Sequence, residues 1–198
     1  MNEIVLASAS IGRKKLFQKY FKSFKISVSN INESKIKISN PYDLTKRLCY
    51  LKASSIAKFY QDDYVFGFDT IVVCENKIIT KPKNKEEAIE FLKFLSGKKQ
   101  SIITGFAVMN MVNKIEIVDY DETILIFKNL DQKFIEDYVR NNNVTKYAGG
   151  YAIQDSDEFI EIIEGDFENI IGAPMKKIVD IVLKLGLGYL LNDEVVRV

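Results

Sequence analysis

The chain contains no histidine. That removes Ser-His and Cys-His nucleophile pairs and deprives zinc of its usual nitrogen ligand. General base work then falls to a carboxylate, with Lys and Tyr as lesser alternatives. A bound metal would be a hard ion on oxygen, magnesium or manganese. Cysteine is nearly absent too: Cys49 and Cys74 lack metal or redox spacing and suit reduced, packed thiols in a cytoplasmic protein. An excess of either sign of charge is missing, since the net charge is only +1. No bulk field exists for nucleic acid or a membrane surface, so any anion site must be a local cluster. No run reaches the ~20 apolar residues of a membrane helix, and Lys184 breaks the best candidate. No signal peptide is expected, because Glu3 interrupts the start and the basic residues follow the first apolar run. Neither GxxxxGK[ST] nor GxGxxG occurs, which excludes the P-loop architecture and its dinucleotide-binding counterpart.

What is present is enough apolar material, 47% of residues, to bury a core in one large domain or two small ones. Residues 65–73 form a short apolar run expected to be a buried strand, and its one charge is Asp69. A carboxylate there is costly unless paired, hydrogen-bonded or on a metal; the plain alternative is a strand-end Asp capping a turn. Gly67, two residues earlier, leaves a surface open to close approach by backbone or ligand. After a tight turn at Glu75-Asn76-Lys77, Lys81-Pro82 brings a cation back toward the same sheet end.

Residues 3–7 predict a first strand, followed by Ser8-Ala9-Ser10 and a helix from Ile11 to about Lys22, with Ser10 as its N-cap. A strand, a small-residue turn and a helix N-terminus together make an anion site. Arg13, Lys14 and Lys15 oppose the helix dipole there, which suits a bound phosphate; a solvated basic face is the other reading. Residues 24–28 predict a second strand, and residues 30–40 a polar loop carrying Glu33. Pro41 starts a helix with Leu44, Leu48, Leu51, Ser55 and Ile56 along one face, and Lys52 taken alone belongs to the surface. Residues 85–95 form an amphipathic helix stopped by Ser96-Gly97. Two long strands over 101–111 and 114–127 meet at a hairpin at Val112-Asn113. Asp131 caps a helix through Arg140, and the last helix runs from Met175 to about Leu187. No repeat or linker intervenes, and the class is α/β with a mixed sheet. Two acids, Glu33 and Asp69, five cations, Arg13, Lys14, Lys15, Lys52 and Lys81, and the Ser-x-Ser turn form a kit for a polyphosphate with a divalent ion.

The chain resembles the Maf family of nucleoside triphosphate pyrophosphatases. The motifs are Leu6-Ala7-Ser8-Ala9-Ser10, Arg47-Leu48 with Lys52-Ala53, Gly67-Phe68-Asp69-Thr70-Ile71-Val72, Lys81-Pro82, Leu95-Ser96-Gly97 and Thr104-Gly105. Tyr138-Val139, Ala148-Gly149-Gly150-Tyr151-Ala152-Ile153-Gln154, Gly165-Asp166-Phe167 and Ile171-Gly172-Ala173-Pro174 complete the set, and their order is specific. The resemblance implies one domain over residues 1–198. Its fold would be an elongated mixed sheet with flanking helices and two lobes around a cleft, like inosine triphosphate pyrophosphatase. It implies a homodimer and hydrolysis of a nucleoside triphosphate to the monophosphate and pyrophosphate with a divalent metal, Mg or Mn.

By motif position, the resemblance makes Asp69 the proton acceptor, and Ser8, Ser10, Arg13, Lys52 and Lys81 phosphate-binding residues. Glu33 joins Asp69 near the metal, and Thr70 and Gln154 are tied to base selection. The family's Ser-x-Ser-Pro-Arg-Arg is here Ser8-Ala9-Ser10-Ile11-Gly12-Arg13, so Gly12 replaces the Arg of the dTTP/UTP branch and the aromatic of the 7-methyl-GTP branch. Thr70 and Gln154 favour dTTP and UTP. The alternatives are the 7-methyl-GTP branch and a non-catalytic nucleotide sensor acting on cell division. The implied chemistry is in-line attack of water on the α-phosphorus.

Overall fold

A computed structural model describes residues 2–152 and 159–196. The chain divides into two compact units. The first comprises Met1–Asp69, Thr104–Asp121 and Gly172–Val198, and the second Thr70–Ile103 and Glu122–Ile171. The α/β class holds. A mixed seven-stranded sheet has the order β2-β1-β3-β5-β6-β7, with β4 paired to β3. The strands are β1 (Ile4–Leu6), β2 (Lys25–Ile26), β3 (Tyr64–Cys74), β4 (Lys77–Ile79), β5 (Lys99–Asn110), β6 (Ile115–Phe127) and β7 (Ile160–Glu164). β1 runs parallel to β2 and β3, whereas β4 is antiparallel to β3 and β7 to β6.

In the first unit, helices α1 (Ile11–Tyr20) and α2 (Pro41–Ala57) flank the strands. Each begins where a side chain accepts an N-terminal amide: Ser10 from Arg13, and Asn40 from Asp43, with Pro41 in the first turn. Strand alternation assigns the two faces of β3. Phe66 and Phe68 meet Phe17 of α1 edge-on, both at 5.7 Å between ring centroids. Such aromatic pairs are worth about 0.5–1.5 kcal/mol each beyond area burial. Val65 packs with Val5, Cys49, Ala53, Ile56 and Met109 in the core that α2 covers.

The buried stripe of α2 is broader than the expected one. Leu48 and Ile56 are buried as expected, but Leu44, Leu51 and Ser55 are only half-buried, and Thr45, Cys49, Ala53 and Ala57 are buried at every fourth residue. Glycines in β3 and β5 explain the difference. A Cβ on Gly67 would stand 2.5 Å from the Cys49 carbonyl oxygen and 2.7 Å from the Ala53 nitrogen, and one on Gly105 would stand 2.5 Å from the Thr45 carbonyl. The helix backbone lies directly against both strands, and only small side chains fit the seam. The close approach expected at Gly67 is therefore made by backbone.

The second expected strand shrinks to two residues, since an edge strand on the three-residue β1 finds partners only at Val5 and Leu6. The long hairpin closes through residues 111–114 instead of the Val112-Asn113 pair. Asn110 ends β5 because its side chain accepts the Asn113 amide at 2.7 Å and donates to the Asp62 carbonyl at 2.8 Å.

In the second unit, β3 and β4 join through Glu75 and Asn76, both at positive φ as a two-residue hairpin turn demands. Helices α3 (Lys85–Leu95) and α4 (Gln132–Asn141), capped by Asn84 and Asp131, bury Ala88, Leu92, Leu95, Ile135 and Val139 with Phe127 and Phe159. The short α5 (Phe167–Ile171) closes this unit, and α6 (Met175–Lys184) and α7 (Asp193–Val196) return to the first. No helix among the described residues is long and apolar enough to cross a membrane.

Gly67→Ala should destabilise the protein by about 1–3 kcal/mol, because the new methyl meets α2 backbone that cannot rotate away. Urea denaturation measures this, and a loss below about 0.5 kcal/mol would show that α2 lifts off β3 without cost.

Candidate active site

The chain leaves β1 at Leu6, and the Ala7 amide donates to the Phe66 carbonyl at 2.8 Å, holding the strand end against β3. Ser8 follows, buried. Its Oγ accepts from the Ser10 amide at 3.2 Å and from Arg13 Nη1 at 3.1 Å. Ser10 Oγ accepts the Arg13 amide at 3.4 Å, so the two serines fold the loop onto the start of α1. Arg13 turns inward from the first turn of that helix. Its Nε donates to the Gly172 carbonyl at 2.7 Å, and its guanidinium lies 5.7 Å from the Phe68 ring centroid. Lys14 and Lys15 are exposed, as a solvated basic face requires.

Asp69 ends the first unit's portion of β3 on the face covered by α2. Lys52 Nζ approaches Asp69 Oδ1 to 2.5 Å and Glu33 Oε1 to 3.0 Å. The Lys52 and Asp69 side chains are 13% and 9% exposed, whereas Glu33 is 52% exposed. Lys52 is therefore no surface residue. It lies beside Cys49 and Ala53, the two residues that seat α2 against Gly67, and this seating carries its ammonium to the carboxylate. Asp69 is ion-paired, which decides against the turn-capping alternative. Removing one partner of such a buried pair typically costs about 3–5 kcal/mol, because the other charge is left uncompensated.

Burial pushes the Asp69 carboxyl above its ordinary range, against the opposing pull of Lys52 and Arg13, while Glu33 adds to the rise. Burial lowers the Arg13 guanidinium, and Asp69 and Glu33 oppose the shift. The neighbouring Cys49 thiol is pushed up to about 12 by burial, with Asp69 adding to it, and stays protonated at neutral pH. It is packing material and not a nucleophile.

Six of the expected residues, Ser8, Ser10, Arg13, Glu33, Lys52 and Asp69, thus belong to the first unit and are tied by this network. Gly12 is half-buried in the first turn of α1. Thr70 and Lys81 belong to the second unit, Thr70 half-buried in β3 and Lys81 exposed after β4. Gln154 lies outside the described residues. Among the described residues no three His, Cys, Asp or Glu side chains converge on one point. The two carboxylates that Lys52 bridges still suit a hard ion such as magnesium, which takes one or two carboxylates and completes its shell with water and phosphate oxygen.

A family model described as Maf-like protein matches residues 3–185. The chain belongs to the Maf-like family. Relatives of this Maf-like chain include a dTTP/UTP pyrophosphatase of Clostridioides difficile (strain 630), 36% identical over 182 residues, or 91% of this chain and 94% of the relative. Another, the dTTP/UTP pyrophosphatase of Ruminiclostridium cellulolyticum, is 36% identical over 199 residues and covers 100% of both chains. A solved structure of the Staphylococcus aureus Ham1 protein overlaps 64% of this Maf-like chain and 72% of its own, at a TM-score of 0.45 and 16% identity.

Two contacts of this Maf-like site were not expected from sequence: the Gly172 carbonyl on Arg13 Nε and the Phe68 ring beside the guanidinium. Their only signals are a glycine followed by Ala173-Pro174 and an aromatic beside Asp69.

The raised Asp69 pKa has a definite sign in stability. A group whose folded pKa exceeds its ordinary 3.8 contributes stability that is fully present below that value and lost as pH rises through the folded pKa. Asp69→Asn removes this loss. Losing the Lys52 partner lowers the variant's stability at every pH, but the variant's deficit relative to wild type should shrink as pH rises above 4, as read from paired urea titrations. A deficit that grows over that range would mean that Lys52 outweighs burial.

Proposed function

We propose that this chain hydrolyses dTTP and UTP to the nucleoside monophosphate and pyrophosphate. The observation that carries the reading is the buried, lysine-paired Asp69 in the same unit as the Ser8-Ser10-Arg13 loop. The name shared by the relatives favours dTTP and UTP over 7-methyl-GTP. The loop supplies the anion site: a strand end, a capped helix N-terminus and an inward guanidinium.

In the proposed reaction a water oxygen attacks the α-phosphorus in line and forms the new P–O bond. The bond from the α-phosphorus to the oxygen bridging to the β-phosphorus breaks, and pyrophosphate leaves with the bonding pair. Asp69 accepts the water proton. An ordinary aspartate near pKa 3.9 is a weak base at neutral pH, and burial raises Asp69 toward the useful range. Arg13 and Lys52 offset the charge that develops on the leaving pyrophosphate. Glu33 and Asp69 would hold a divalent cation, Mg or Mn, which when bound supplies further neutralisation of phosphate charge.

Lys81 on phosphate, and Thr70 and Gln154 at the base, enter the proposal on the family resemblance alone. Glycine at position 12 offers no side chain to discriminate bases, so selectivity among triphosphates should be broader than in relatives with arginine there. A homodimer in the cytoplasm completes the reading, and the buried free thiols Cys49 and Cys74 suit a reducing compartment.

The test is pyrophosphate release from dTTP, UTP, CTP and 7-methyl-GTP, with magnesium and with manganese. Wild type should turn over dTTP and UTP repeatedly, and Asp69→Asn should lose at least about 100-fold in kcat while still binding nucleotide. A variant within about tenfold of wild type would remove Asp69 from the base role. A wild type that binds triphosphates without turnover would make the protein a nucleotide sensor.

A further inference from the structure

Arg13 and Gly172 are 159 positions apart, yet the Arg13 Nε donates to the Gly172 carbonyl at 2.7 Å. The same guanidinium donates from Nη1 to Ser8 Oγ at 3.1 Å and lies beside the Phe68 ring. Two acceptors at different nitrogens set the rotation of a planar fork, and a neighbouring ring limits its tilt. Gly172 is buried at φ 113°, in a region L side chains rarely adopt, and this backbone conformation orients its carbonyl. Ala173 and Pro174 follow, both buried, and the Pro174 carbonyl accepts from Ile178 in α6, which anchors the segment.

We propose that Gly172 is a positioning residue for phosphate recognition: its carbonyl orients the Arg13 guanidinium toward the substrate phosphates. The proposal rests on the hydrolase reading above for its substrate, though not for the contact itself. A lysine at position 13 would keep the charge but has no Nε to be oriented. An L-residue at position 172 would keep Arg13 but turn its acceptor away. The two changes therefore damage the same step.

The test combines a double-mutant cycle with an exchange measurement. Gly172→Ala should lower kcat/KM for dTTP about tenfold, mainly through KM, whereas the same change in an Arg13→Lys background should cost less than about twofold. Thermal denaturation should show the same loss of Tm in both backgrounds. Equal losses of kcat/KM in both backgrounds would make Gly172 a turn residue with no role at Arg13 and overturn the proposal. In the wild-type protein, the Arg13 Nε–H signal in 15N-edited NMR, assigned by its disappearance in Arg13→Lys, should exchange with water far more slowly than that of exposed Arg47. Exchange as fast as Arg47 would also overturn it. This measurement decides the placement even if Gly172→Ala does not fold. It does so equally if wild type releases no pyrophosphate from dTTP, in which case the hydrolase reading fails by itself.

Discussion

The ion pair between Lys52 and Asp69 depends on how closely α2 can approach the sheet. A carboxylate within an apolar strand is costly to keep charged, and the ammonium that offsets the cost comes from α2. Gly67 and Gly105 let the backbone of α2 lie against β3 and β5, and Thr45, Cys49 and Ala53 are small enough to line that seam. Lys52, next to Ala53, is then delivered to Asp69 at 2.5 Å and to Glu33 at 3.0 Å. A bulkier residue in either strand would withdraw the counter-charge and leave Asp69 buried without it. Packing and electrostatics at this site are therefore one constraint.

A second cation reaches Asp69 from a different element. Arg13 belongs to α1, whose Phe17 packs on Phe66 and Phe68, so the alternating faces of β3 send two helices and two cations toward one carboxylate. Burial raises the Asp69 pKa and the cations restrain the rise. A carboxylate poised in this way suits proton acceptance better than a solvated one. The Ser8-Ser10 loop adds backbone and hydroxyl groups to the same neighbourhood, and this accounts for the recurrence of small residues between β1 and α1.

Much of this was legible in the sequence wherever the cause is local. Asp69 as a lone charge in an apolar run, Ser10 as a cap, Pro41 as a helix start and Asp131 as another cap are all properties of a few adjacent residues. The role of Lys52 was not legible from periodicity, because helical spacing favours Leu44, Leu48 and Leu51 as the inner face. Leu48 is indeed buried, but the Thr45-Cys49-Ala53 seam beside it follows from glycines on two strands that are neighbours only in three dimensions. The family resemblance supplied Lys52, and the geometry supplies its reason. The Arg13–Gly172 contact spans most of the chain, and the glycine before Ala173-Pro174 does not say which residue it meets. The short β2 and the four-residue closure of the long hairpin are not local properties, because their limits are set by the length of β1 and the hydrogen bonds of Asn110.

The central claim is that a buried, cation-paired Asp69 accepts the proton of the attacking water. The pH dependence of kcat/KM for dTTP between pH 4 and pH 8, at fixed ionic strength, tests it most directly, because that profile reports the ionisation of the free enzyme. The account predicts a single acid limb, with activity falling as the pH is lowered and a midpoint above the ordinary aspartate value of 3.8. Activity that stays level down to pH 4 would contradict it.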